Sequence, residues 1–145
     1  MFVECLKTLK HAPIFLKRIL RVLMQIQKGL VHILLQHCLS KTKNIYSEIV
    51  SLLEQAKEPD LKECLQICKE NYDGSIDDAT TSFKNVDANK FSESRNSVSA
   101  IVSGPVTCEV TFNELPVRKF PIKSESDDLM NFIGLILSLL KQFVN

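Results

Sequence analysis

Apolar positions along the chain recur at intervals of three and four, the period of helices that bury one face. Leu16, Ile19, Leu20, Leu23 and Ile26 form a first run, with Lys17, Arg21 and Lys28 on another face. A second register passes through Val31, Leu35, Cys38, Thr42, Ile45, Ile49, Leu52 and Ala56, and Gly29 between the two is where a bend is expected. Pro59 suits the first turn of the next helix, with Asp60 and Glu63 near its positive end. From there Leu61, Leu65, Cys68, Tyr72, Ser75, Ala79, Phe83 and Val86 hold one face for about six turns. A polar turn over residues 85–89 ends it.

In the third helix Phe91, Ser94, Val98, Ile101, Cys108 and Phe112 share a face, and Gly104-Pro105 inside the run predicts a kink. A loop with Pro116 and Pro121 follows. The last helix is expected to start at Ser126 as N-cap, with Asp127 and Asp128 in its first turn. It buries Leu129, Phe132, Ile133, Ile136, Leu140 and Phe143, and Gly134 with Ser138 forms a small-residue strip that a neighbour could approach closely. Four apolar stripes need one another to leave water, so the pattern predicts an all-α, antiparallel up-down-up-down four-helix bundle.

Composition changes this picture little. The 145 residues suffice for one core, the net charge of +1 gives no case for nucleic acid, and repeats and low-complexity tracts are absent. The charge is nevertheless uneven. Residues 1–47 carry eight basic residues against the single acid Glu4, a net +7, which leaves −6 over residues 48–145. Such asymmetry marks either contact with an acidic surface or a helix with a solvated basic face, and the second reading leaves membrane contact unlikely. Residues 14–39 hold Lys17, Arg18, Arg21 and Lys28, and residues 129–144 are too few to span a bilayer, so no transmembrane segment is expected. No signal peptide is visible, which on its own points to the cytosol.

Five cysteines carry most of the information. In an antiparallel hairpin, positions equally far from the turn face each other; the midpoint of Cys68 and Cys108 is residue 88, the centre of the turn between the second and third helices. A disulfide there closes a 40-residue loop, with two small buried thiols as the alternative. Cys64, one turn from Cys68, makes a weak metal signal without a matching Cys/His set, and His11, His32 and His37 do not supply one. Cys38 and Cys64 are expected as thiols in or beside the core, and Cys5 as an unpaired cysteine. No nucleophile elbow, phosphate-binding loop, dinucleotide fingerprint, zinc-protease motif or CxxC occurs, and Asp77-Asp78 point different ways on a helix. Neither catalysis nor a cofactor or metal is expected.

From about Lys43 onward the chain resembles the plant pectin methylesterase and invertase inhibitors. The matching residues are Ile45-Tyr46-Ser47-Glu48-Ile49 leading to Leu52-Leu53, then Leu61, Cys68-Lys69-Glu70-Asn71-Tyr72, Ala79 and Phe83. Thr107-Cys108-Glu109 with Phe112 and the closing helix over residues 131–140 complete the match. The resemblance implies a disulfide between Cys68 and Cys108, agreeing with the turn symmetry. Cys5-Leu6-Lys7-Thr8-Leu9 looks like the end of the family's N-terminal hairpin, whose other cysteine lies upstream, so residues 1–12 read as a hairpin remnant of a truncated member and residues 13–145 as the inhibitor bundle. Residues 13–39 depart from the family, with Leu, Ile and Arg where a polar, Ala-rich helix start is usual.

What the resemblance implies is an extracellular, apoplastic inhibitor that stoichiometrically and non-covalently covers the active-site cleft of a pectin methylesterase or an acid invertase. For the esterase, Thr107 and neighbouring polar residues are the partner-binding candidates. For the invertase, Asn89-Lys90-Phe91 stands where the family has Pro-Lys-Phe, making Lys90 and Phe91 candidates, with Phe91 as a helix-start core residue the alternative. A reading of a different class is a cytosolic amphipathic-helix protein that binds acidic surfaces through residues 7–43.

Overall fold

The structure is a computed structural model that describes residues 12–114 and 119–144. Cys5, His11, the hairpin remnant up to residue 11, and Pro116 lie outside the described residues. Among the described residues five helices follow one another: α1 (Ile14–Gln55), α2 (Pro59–Asp87), α3 (Phe91–Ile101), α4 (Ser103–Glu114) and α5 (Lys123–Leu140), the last running into a 3-10 turn at Lys141–Phe143. Because α3 and α4 together make one interrupted rod, the architecture is the expected up-down-up-down bundle. α2 packs on α1, α3 and α4, and α5 closes the bundle against α1 and α3.

Each boundary has a local cause. Pro59 occupies the first helical turn of α2, where its missing N–H is not needed. At the other end Asn89 adopts φ 59°, a left-handed conformation that asparagine tolerates better than most residues. The Lys90 N–H then donates to the Asn85 carbonyl at 2.8 Å and the Asn89 N–H to that of Val86 at 3.0 Å, the Schellman pattern that closes a helix. Val102 separates α3 from α4. Pro105 cannot donate to the carbonyl of Ile101 four residues earlier, and its ring would clash with it. That carbonyl instead accepts the Ser75 hydroxyl at 2.8 Å, and the same Ser75 oxygen accepts the Gly104 N–H at 3.2 Å. One buried serine on α2 thus satisfies both groups at the break. A Cβ at residue 104 would sit well inside the contact distance of the Ser75 hydroxyl and 3.2 Å from the Asn71 carbonyl oxygen, which is why glycine stands there.

Along its whole length the seam between α2 and the α3–α4 rod is built from small residues. Ser94 donates its hydroxyl to the Ser82 carbonyl at 3.0 Å, Cys68 is bonded to Cys108 with a Cα–Cα distance of 4.6 Å, and the Cys64 thiol faces the Thr111 carbonyl at 3.8 Å. These pairs are centred at or within a residue of position 88, as the turn symmetry requires.

Four expectations need correction. Gly29 makes no bend, since α1 runs unbroken through it and nothing crowds it. Ser126 is not an N-cap: α5 begins at Lys123, and Ser126 lies buried on its core face, where the fully buried Tyr72 hydroxyl donates to it at 3.3 Å. A phenol inside a core needs such a partner, and that requirement overrides the local capping signal. Gly134 is open to solvent, with no neighbour within 4 Å of where a Cβ would be, so the strip with Ser138 receives no helix. The last correction concerns α1. Its second register is the core, through Val31, Leu35, Cys38, Thr42, Ile45 and Ile49, whereas Leu16, Ile19, Leu23 and Ile26 of the first are exposed. α1 has 42 residues and α2 has 29, about 63 and 44 Å at 1.5 Å per residue. Lys28 reaches Asn89 at 2.9 Å and His32 reaches Asp87 at 3.1 Å, so α2 ends level with these residues and the first turns of α1 run past it.

Two consequences for stability are measurable. Replacing Cys68 and Cys108 by alanine should cost about 3–4 kcal/mol in urea unfolding, the chain-entropy value for a loop of this size. Ser75→Ala should cost about 1–3 kcal/mol by orphaning the Ile101 carbonyl and the Gly104 N–H. Ser97→Ala, which removes only an exposed bond to the Glu93 carbonyl, should stay within about 0.5 kcal/mol of wild type.

Candidate functional site

α4 is tied to α2 by the disulfide and at the same time open to solvent along one side. Its buried side is Gly104, Pro105, Cys108 and Phe112. At 100° per residue the opposite side falls on Ser103, Val106, Val110 and Glu114, with Asn113 and Thr107 at the edges of the strip. Val106 and Val110 are exposed, and Thr107 is half-buried. The Thr111 hydroxyl donates back to the Thr107 carbonyl at 2.8 Å, while among the described residues the Thr107 hydroxyl has no hydrogen-bond partner. Two valines and a spare hydroxyl make an uncharged centre, and Glu114 puts one charge at the C-terminal end of the strip.

Charge collects at the borders of this strip. Glu109 receives Lys123 at 3.0 Å, and Lys123 also meets Asp127 at 3.4 Å. The hydrogen bond to Glu109, then the charge of Asp127, hold the Lys123 ammonium above its ordinary value. A centre of aliphatic and hydroxyl groups with a charged rim is the composition of a protein-binding patch.

Lys90 and Phe91 lie elsewhere. They sit at the start of α3, about 25 Å along the rod from Thr107 at the helical rise, so the structure does not bring the three residues together. Phe91 stacks on Phe143 with centroids 4.4 Å apart and planes at 14°, packed against the core as a helix-start residue. Lys90 is exposed, and its backbone is engaged in the turn. Val106, Val110 and the Glu109–Lys123–Asp127 group were not singled out in the sequence. The two valines could have been found there: they are spaced by four and lie off the face that carries Cys108 and Phe112.

No cluster of three or more His, Cys, Asp or Glu side chains suited to a metal occurs among the described residues. Cys38 and Cys64 are buried free thiols, and burial pushes the Cys38 thiol up to about 11 despite its hydrogen bond with Thr42. A shallow apolar cleft lined by Leu52, Leu61, Leu65, Phe112, Lys119 and Pro121 brings no pair of titratable groups together for chemistry.

Comparison with known proteins agrees with this arrangement. No curated protein sequence matches the chain. Among solved structures, the crystal structure of a pectin methylesterase inhibitor from Arabidopsis thaliana is similar, with a TM-score of 0.75, 17% identity and 87% of each chain covered. The crystal structure of mutant form A of a pectin methylesterase inhibitor from Arabidopsis gives 0.74 at 17% identity, over 79% of this chain and 77% of that one. At that identity the likeness establishes the fold. A family profile described as plant invertase/pectin methylesterase inhibitor matches residues 3–139, nearly the whole chain, and the chain therefore belongs to the plant invertase/pectin methylesterase inhibitor family.

Proposed function

We propose that this inhibitor acts on a pectin methylesterase, by laying the outer face of α4 over the enzyme's active-site cleft. Members of the family are inhibitors of pectin methylesterase or invertase and not enzymes themselves, which sets the class of partner. The observation that carries the finer reading is the α4 strip: Val106, Val110 and Thr107 stand exposed on a helix whose other side is fixed by Cys108 and Ser75. A surface already held in place loses little conformational entropy on docking, so its contacts appear as affinity. Complex formation is stoichiometric and non-covalent, and the family's habit places it in the apoplast.

Acid invertase is the alternative target. Its proposed contact, Asn89-Lys90-Phe91, competes with an intramolecular role, because Phe91 is stacked on Phe143 and Asn89 accepts the Lys28 ammonium at 2.9 Å. This engagement puts the esterase ahead.

Titrating the oxidised chain against a plant pectin methylesterase and an acid invertase at mildly acidic pH separates the two. The expected outcome is saturable loss of esterase activity near equimolar ratio with invertase unaffected. Thr107→Arg, which places a charge in the uncharged centre of the strip, should weaken inhibition by about tenfold or more, the scale of a disturbed hot spot. A cooperatively folded, Cys68–Cys108-bonded protein that leaves both enzymes untouched would overturn the proposal.

A further inference from the structure

The turns of α1 that run past α2 carry an apolar surface the bundle does not use. Phe15, Ile19, Val22, Ile26, Leu30 and Ile33 follow at steps of three and four, and each is 45–64% exposed. They do not form the ragged edge of the core. Ile33 lies two residues from both Val31 and Leu35, which are 0% exposed, and two residues turn a helix by about 200°. The stripe therefore faces away from the bundle. Isolated apolar side chains on a surface are ordinary, but a stripe five turns long signals that something covers it.

The charges of the same segment say what that is. Arg21 and Lys28 lie on the arc opposite the stripe and Arg18 at its flank, and the sequence from residue 5 to residue 47 contains no Asp or Glu. The rest of the chain, residues 48–145, carries −6. A wide apolar arc, a basic polar arc and no acid are the attributes of a helix that lies in the plane of a lipid–water interface. Long Lys and Arg side chains at such a helix reach up to the headgroups while their stems stay with the acyl chains. Spanning is not an option, because no helix among the described residues is long and apolar enough to cross a membrane.

We infer that residues 14–33 form an in-plane anchor that binds the surface of an anionic phospholipid bilayer. The reading that the basic residues merely decorate the solvated face of a core helix fails here, since the apolar positions beside them are not in the core. Orientation follows from the charge asymmetry: the positive overhang is drawn to the surface and the negative bundle is held off it, leaving the α4 strip free. The anchor is independent of the inhibitory reading and stands or falls separately.

Flotation of the oxidised full chain with vesicles tests it, using phosphatidylcholine alone or with about one third phosphatidylglycerol. Binding is expected to the anionic vesicles, to fall in high salt, and to be weak on phosphatidylcholine alone. Val22→Asp/Ile26→Asp should reduce it by about tenfold or more by removing apolar contact, and Arg18→Gln/Arg21→Gln by a comparable factor by removing attraction. All four positions are exposed, so helix content and thermal midpoint should be unchanged in both variants, as should any titration against the esterase. Equal partition onto both vesicle types, or onto neither, overturns the anchor. So does a concentration-dependent dimer in sedimentation velocity that Val22→Asp/Ile26→Asp abolishes while vesicles leave the chain unbound, because a second copy would then be the cover.

Discussion

The close approach of α2 to the α3–α4 rod governs this molecule. The Cα atoms of Cys68 and Cys108 stand 4.6 Å from each other, so the two backbones face each other directly and are joined there by the disulfide. Small side chains stand along the seam at Ser75, Ala79, Ser82, Ser94 and Gly104, among larger buried neighbours such as Tyr72, Val98 and Ile101. Small polar residues inside a core must be hydrogen-bonded, and here they bond across the seam, to the Ile101, Ser94 and Ser82 carbonyls and the Gly104 N–H. The proline-induced break in the third rod and the serine that completes it are thus two halves of one device. Its product is a helix, α4, whose inner face is fixed and whose outer face is free to meet a partner.

α1 obeys a different rule at each end. From Val31 onward it is a bundle helix with one buried stripe. Before that point it carries an exposed apolar stripe beside its basic residues, with little of the bundle against it. The link between the two halves is polar: Lys28 and His32 hold the end of α2, and Gln27 hydrogen-bonds Gln142 near the C-terminus. The bundle's end is therefore stitched to α1 at the place where the overhang begins.

Much of this was legible in the sequence, for reasons that also mark the limits. The Cys68–Cys108 pair could be read because a hairpin's symmetry about residue 88 is arithmetic on numbering and needs no knowledge of packing. The α3–α4 break could be read from Pro105, since the missing donor is a property of the residue itself. Periodicity reported the helical state of residues 16–26 correctly and their burial wrongly, because a period says which side chains share a face and not whether another helix is long enough to cover it. Ser126 was misjudged for a related reason: capping is decided by near neighbours, but the demand that placed Ser126 inside came from Tyr72, 54 residues away. In the α4 strip, Thr107 stood out only through a family likeness. The valines beside it went unremarked, although their spacing by four, off the face that carries Cys108 and Phe112, was there to be read.

Burial of the spare thiols bears on how the bond between α2 and α4 persists. Exchange requires a thiolate, and with its thiol pushed up to about 11 by burial, Cys38 holds only on the order of one part in ten thousand in that form at neutral pH. In the folded bundle the hydrophobic interface that buries Cys38 thus also keeps it from exchanging with the Cys68–Cys108 bond.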